Sequence, residues 1–167
     1  MIIFDFDQTL VDTSPVEHLR AARNWKAVMA QAPKLPVYGG ITELLKELHA
    51  AGQTIAIVTK SPDMVPRAFI KEHAWPIEIV VGYHDVKNRK PHPEGLLLAM
   101  SKVGAKPEIL FTLAIRRRTP RPRGEPASSR WARHGAPSTC QLWKLRNQDA
   151  IFSSVDELRD YLKKKLA

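Results

Sequence analysis

Cysteine is almost absent from this chain: Cys140 is the only one in 167 residues. An internal disulfide is therefore excluded, and a reducing compartment is the natural setting. Long apolar runs are missing as well. Although 44% of the residues are hydrophobic, no run approaches the ~20 needed for a membrane-spanning helix. A secretory leader is not legible either. The first apolar run carries Asp5 and Asp7, where a leader needs a basic start and an acid-free core. The chain thus reads as cytoplasmic, with no membrane partner. Acids are scarce in one place: after "EILF" at 108–111 there is no aspartate until Asp149, and Glu125 is the lone acid between.

Positive charge is abundant but concentrated. The net charge is +9, and the window 109–148 holds nine Arg or Lys against Glu125, which is +8, leaving +1 for the other 127 residues. The body of the protein is nearly neutral, and one basic block is set into it late. Such a block suits phosphate backbones; it equally suits a solvated segment.

The remaining pattern alternates strands and helices. "MIIFDF", "TIAIV" (54–58), "IEIVVG" (77–82) and "EILFTL" (108–113) are short, mostly apolar runs suited to buried strands. A helix is expected over 14–33, with Ser14 as its N-cap and Pro15 at its first position. In a second helix, Ile41, Leu44, Leu45 and Leu48 share one face, and Gly52 closes it. Further helices start at Ser61–Pro62, follow Pro93, and follow the capping box of Ser154 and Glu157. Apolar strands alternating with helices imply an α/β fold, a mainly parallel sheet covered on both faces as a Rossmann-like three-layer sandwich. Ligands of such sheets bind beyond the C-terminal ends of the strands.

The strand ends carry the chemistry. Asp5 and Asp7 are two residues apart, a spacing that puts both carboxylates on one side of an extended chain. Their repulsion calls for compensation, for instance by a divalent cation, and paired carboxylates can serve as nucleophile and as acid–base. A polar strand-end turn has the same pattern. Thr59 follows the second strand at a helix start, where hydroxyl and amides suit a phosphate or simply a cap. Lys90, before Pro91, follows the third strand, as a counter-charge or as a solvated lysine.

In this order the segments "DFDQTLVDT", "IVTKS" and "RKPHP" resemble the three leading motifs of the haloacid dehalogenase-like hydrolase superfamily, over about residues 1–111. The resemblance implies a phosphatase. Asp5 would be the nucleophile that becomes an aspartyl-phosphate, and Asp7 the general acid, then base. Thr59, Lys60 and Lys90 would bind phosphate, with Lys90 also balancing charge on Asp5. Mg²⁺ would be the cofactor, held by the Asp5 carboxylate and the Asp7 backbone carbonyl. An aspartate at position 7 favours phosphoryl transfer over dehalogenation, since only the former needs an acid for its leaving group. Residues 13–37 would form a reduced cap within a single domain, leaving an open site for a phosphorylated substrate, a small molecule rather than a macromolecule or nucleic acid.

The family's fourth motif, G-D-x-x-x-D or a near variant after the fourth strand, is missing. At its place stands "AIRRRTPRPRGEPASSR". Codons that encode residues 115–130 can be chosen so that a start one nucleotide later reads Phe-Gly-Asp-Ala-Pro-Arg-Asp-Leu-Glu-Ala-Ser, the absent motif followed by an amphipathic helix. The second codon bases are largely forced, which limits that freedom. Three readings stand: residues 112–140 are frame-shifted, a basic insertion, or a disordered loop. The insertion reading carries an alternative function, a catalytically inactive binding protein that uses the basic block on nucleic acid or an acidic partner. The coding DNA decides on the frameshift: codons 115–121 should yield Gly-Asp in the +1 frame, and codons that cannot do so discard it.

Overall fold

The computed structural model describes residues 1–104, 111–113 and 155–166. Expectations for the rest of the Arg/Pro-rich segment, for Cys140 and for Ser154 lie outside the described residues. Four parallel strands make one sheet: β1 (Ile2–Phe4), β2 (Ile55–Val58), β3 (Ile79–Val81) and β4 (Phe111–Leu113), in the order β3-β2-β1-β4. β1 is central, paired in register to β2 through Ile3↔Ala56 and to β4 through Ile3↔Thr112.

The helices are α1 (Glu17–Ala21), α2 (Trp25–Ala30), α3 (Ile41–Ala50), α4 (Met64–Glu72), α5 (Glu94–Ser101) and α6 (Val155–Leu166). Strand alternation sorts the core into two layers. Ile2, Phe4, Ile55, Ile57 and Val80 join a large cluster with Leu44, Leu45 and Leu48 of α3, Val65 and Phe69 of α4, and Leu158 and Leu162 of α6. Ile3, Ala56, Val58 and Val81 face the other way onto Leu96 and Ala99 of α5. This is the three-layer α/β arrangement read from the sequence. Gly95 shows how closely α5 lies on the sheet: a Cβ there would stand 2.9 Å from Val58 Cγ1.

Two helix starts differ from expectation. Residues 14–33 do not form one helix. A 3-10 turn at Ser14–Val16 leads into α1, and the chain breaks at Arg23, whose φ is +55°, before α2. Asn24 begins α2 by accepting a hydrogen bond from the Ala27 amide. Ser14 is inside the turn instead of capping it, because Asp12 Oδ1 accepts from the Ser14 amide at 3.1 Å and from its hydroxyl. Likewise α4 starts at Met64, after Ser61 and Pro62, since the Ser61 hydroxyl is spent on Asp7.

The 14–36 segment is tied at its neck. Residues 10–12 run against 36–38 through an antiparallel bridge, Val11↔Val37, with Asp12 N to Pro36 O at 2.9 Å and Tyr38 N to Leu10 O at 3.1 Å. Short helices held at such a neck place one side chain, Arg20, back over the strand ends.

Leu158 is fully buried in the large cluster although α6 is reached only after the Arg/Pro-rich segment. Leu158→Ala should lower stability by about 2–5 kcal/mol. Urea unfolding measures it, and an unchanged midpoint would mean that α6 is not docked in solution.

Candidate active site

β1 ends at Phe4, and the next three residues leave the sheet. Phe4 and Phe6 turn into the large core, where Phe6 meets Phe69 edge-on with ring centroids 5.1 Å apart. The intervening acids are thereby left at the strand end. Asp5 and Asp7 are both partly buried, which raises the cost of leaving either charge uncompensated.

Each acid has its own cation, from a different direction. Lys90 Nζ is 2.7 Å from Asp5 Oδ1. The same ammonium donates to the carbonyl of Val58, the last residue of β2, at 2.9 Å. Asp5 Oδ1 also accepts from the Phe6 amide at 2.8 Å. Both contacts use Oδ1. Asp7 is compensated from α1 by Arg20, whose Nη1 is 2.8 Å from Asp7 Oδ1. Asp7 Oδ2 accepts from Ser61 Oγ at 2.8 Å and from Thr59 Oγ1 at 3.2 Å.

The hydroxyls are fixed in turn. Thr59 is buried after β2, its amide bonded to Val81 O, and its Oγ1 accepts from the Ser61 amide at 3.0 Å. Ser61 O accepts from the Tyr83 amide, which continues the β2–β3 pairing past the strands. Gly82 is required here: a Cβ would lie 2.5 Å from the Asp63 amide nitrogen. The loop before Lys90 is held by Glu94, the first residue of α5. Its carboxylate accepts from the amides of Lys87 at 2.8 Å and Asn88 at 2.9 Å, and from Asn88 Nδ2.

Asp5, Asp7, Thr59 and Lys90, distant in sequence, thus form one cluster. Lys60 is exposed and, among the described residues, makes no side-chain hydrogen bond or ion pair. Sequence reasoning missed Arg20, Ser61 as a side-chain partner, and Glu94. Arg20 had no distinguishing signal among the charges of "VEHLRAAR". Ser61 could have been found from its place two residues after Thr59.

For a metal, the described residues offer hard oxygen donors only. They contain no group of three or more His, Cys, Asp or Glu side chains. Asp5 Oδ2, free of the contacts that occupy Oδ1, and a backbone carbonyl suit Mg²⁺, which is commonly held by one or two carboxylates with substrate phosphate and water. Further acid ligands have no counterpart among the described residues.

Known proteins resemble this chain in sequence and in fold. Residues 16–112 match the family described as haloacid dehalogenase-like hydrolase, more than half of the chain. A phosphoglycolate phosphatase of Salmonella paratyphi A is 39% identical over 73 residues, covering 42% of this chain and 29% of that protein. The chain therefore spans less than a third of the length of that relative. A solved HAD-superfamily hydrolase from Ehrlichia chaffeensis superposes with a TM-score of 0.64 at 17% identity, covering 99% of this chain and 97% of that one. CbbY from Rhodobacter sphaeroides, solved in complex with phosphate, gives a TM-score of 0.55 at 16% identity over 66% of this chain and 75% of that one. At such identities the structures speak for the fold alone. The family match supplies the rest: this chain belongs to the haloacid dehalogenase-like hydrolases.

Proposed function

We propose that this site belongs to a phosphomonoester hydrolase that works through an aspartyl-phosphate. One observation carries the reading. A carboxylate at a strand end has an ammonium 2.7 Å away on one oxygen, while its other oxygen makes no hydrogen bond among the described residues, and a second carboxylate lies within reach of two fixed hydroxyls. The first arrangement suits a nucleophile, the second an acid–base.

In this mechanism the Asp5 carboxylate attacks phosphorus and the ester oxygen leaves. Lys90 balances the charge that Asp5 and the phosphoryl bring together. The Thr59 hydroxyl binds a non-bridging oxygen. Asp7, protonated, gives its proton to the departing alkoxide and afterwards takes one from the water that opens the acyl-phosphate. Mg²⁺, when bound at the Asp5 carboxylate and the Asp7 carbonyl, supplies further neutralisation of phosphoryl charge. Residues 13–37 act as a reduced cap, and the printed name of the Salmonella relative makes 2-phosphoglycolate the first ester to test. A frame-shifted segment after β4 accounts for the missing acids of the fourth motif; restoring its frame would return them.

Hydrolysis of p-nitrophenyl phosphate with Mg²⁺ should fall by on the order of 10⁴-fold or more in Asp5→Asn. Release of nitrophenol measures it, and activity surviving the substitution removes Asp5 as the nucleophile.

Glu94 sets a lower pH bound on the Lys90 loop. Hydrogen bonds from the Lys87 and Asn88 amides hold its carboxyl below the ordinary value of 4.5. Because the folded state depresses this pKa, the loop's stabilisation is present above 4.5 and is lost as pH falls through the lower folded value. The amide resonances of Lys87 and Asn88 should therefore titrate with a midpoint below 4.5. Glu94→Gln should abolish that transition, and an unchanged transition in the variant would assign it to another group.

A further inference from the structure

The turn that follows the two acids holds a residue to which the reaction gives no task. Three described residues other than glycine have a positive φ: Gln8, Arg23 and Ala74. Arg23 and Ala74 each lie two residues past a helix, α1 and α4, where a left-handed residue is an ordinary stop. Gln8 follows no helix. It comes directly after Asp7, in a turn that its amide closes onto Val11 O at 2.9 Å. Its φ is +59°, a value that glycine adopts freely and that is unusual for a glutamine. Gln8 is exposed, so packing does not force it there. The side chain supplies a reason.

That side chain spans the neck of the 14–36 segment. One end of its amide group is 3.1 Å from the Thr13 nitrogen and 2.9 Å from the Ser14 nitrogen; the other end is 3.0 Å from the Tyr38 hydroxyl. Backbone amides only donate, so Oε1 faces Thr13 and Ser14, and Nε2 donates to Tyr38. The reverse orientation would offer only longer contacts on the first side, 3.3 Å to Thr13 Oγ1 and 3.4 Å to Asp12 Oδ1. In either orientation the group joins Thr13, where the chain leaves for the short helices, to Tyr38, where it returns.

The tie reaches the site through Thr13. This residue is fully buried. Its amide donates to Gln8, and its hydroxyl accepts from Arg20 Nη1 at 2.7 Å. Arg20 Nη2 donates to Ser61 Oγ at 3.3 Å, and Nη1 stands 2.8 Å from Asp7 Oδ1. The contacts close a ring: from Asp7 to Gln8 along the chain, then to Thr13, to Arg20 and back to Asp7. In such a network each member is held by more than its own bond.

We infer that Gln8 is a positioning residue. Its side chain locks the 14–36 segment over the strand ends, keeps Arg20 against Asp7, and so holds the Asp7 carboxyl beside the departing ester oxygen. The last step rests on the phosphomonoester reading; the first two do not.

Gln8→Gly removes the tie while relieving the backbone, so the fold is not put at risk. In the unaltered chain, rotation about the Arg20 Cζ–Nη bonds should be slow enough for separate Nη signals by NMR. In Gln8→Gly that rotation should be about tenfold faster, the scale of one lost hydrogen bond. Tyr38→Phe should give a smaller change in the same direction, and none when added to Gln8→Gly. Two esters, each with Mg²⁺, test the last step. p-Nitrophenolate leaves with little help from an acid, whereas phenolate needs it. The ratio of kcat for p-nitrophenyl phosphate to kcat for phenyl phosphate should therefore rise about tenfold in Gln8→Gly, a part of what general-acid catalysis contributes. Unchanged Arg20 rotation in Gln8→Gly overturns the tie, and an unchanged ratio overturns the positioning of Asp7. Hydrolysis of neither ester by the unaltered chain overturns the phosphomonoester reading, while the Arg20 rotation still decides the tie.

Discussion

Two carboxylates two residues apart at the end of a central strand repel each other, and much of the upper rim of this molecule serves to contain that repulsion. Lys90 reaches Asp5 from beyond β3, and Arg20 reaches Asp7 from the helices between β1 and α3. Thr59 and Ser61 close on Asp7 from the end of β2. Four separate segments are thus cross-linked through two acids. Buried ion pairs contribute less than their Coulomb energy because both charges are desolvated. Their worth here is positional: removing either cation would leave a half-buried carboxylate without compensation.

The sheet makes this convergence possible. Its alternating side chains send Phe4 and Phe6 into the large core and leave the acids between and after them at the rim. On the opposite face, the layer formed by α5 is thin, and Gly95 lets that helix approach Val58 closely. The same helix begins with Glu94, which holds the amides of the loop leading to Lys90. Core packing of α5 and the placement of the ammonium are therefore one problem, solved by one short element.

The sheet and its outer helices were legible because periodicity and burial follow the same physics. The Ile41–Leu48 stripe is buried as its spacing requires, and Gly52, with φ of +72°, ends that helix. The grouping of Asp5, Asp7, Thr59 and Lys90 was legible because the chemistry sits at strand ends, and strand ends can be read. The break at Arg23 was not. Helical composition runs through it, and the positive φ gives no sign in a residue that is neither Gly nor Asn. Arg20 was hidden for the same reason: its role depends on where the broken helix points. Ser14 and Ser61 look like caps by residue type, yet their hydroxyls go to Asp12 and Asp7. A sequence shows a donor but not the competition for it.

The central place of β1 has a consequence for assembly. Of the four described strands this one precedes the others in chain order, and both of its neighbours come later, β2 at residue 55 and β4 at residue 111. As the polypeptide leaves the ribosome, Asp5 and Asp7 travel unaccompanied until residues 20, 59 and 90 have followed them. The edge of β1 that receives β4 stays open longest. The growing chain thus carries an apolar strand ahead of both its partners, with two negative charges at its end that oppose premature pairing.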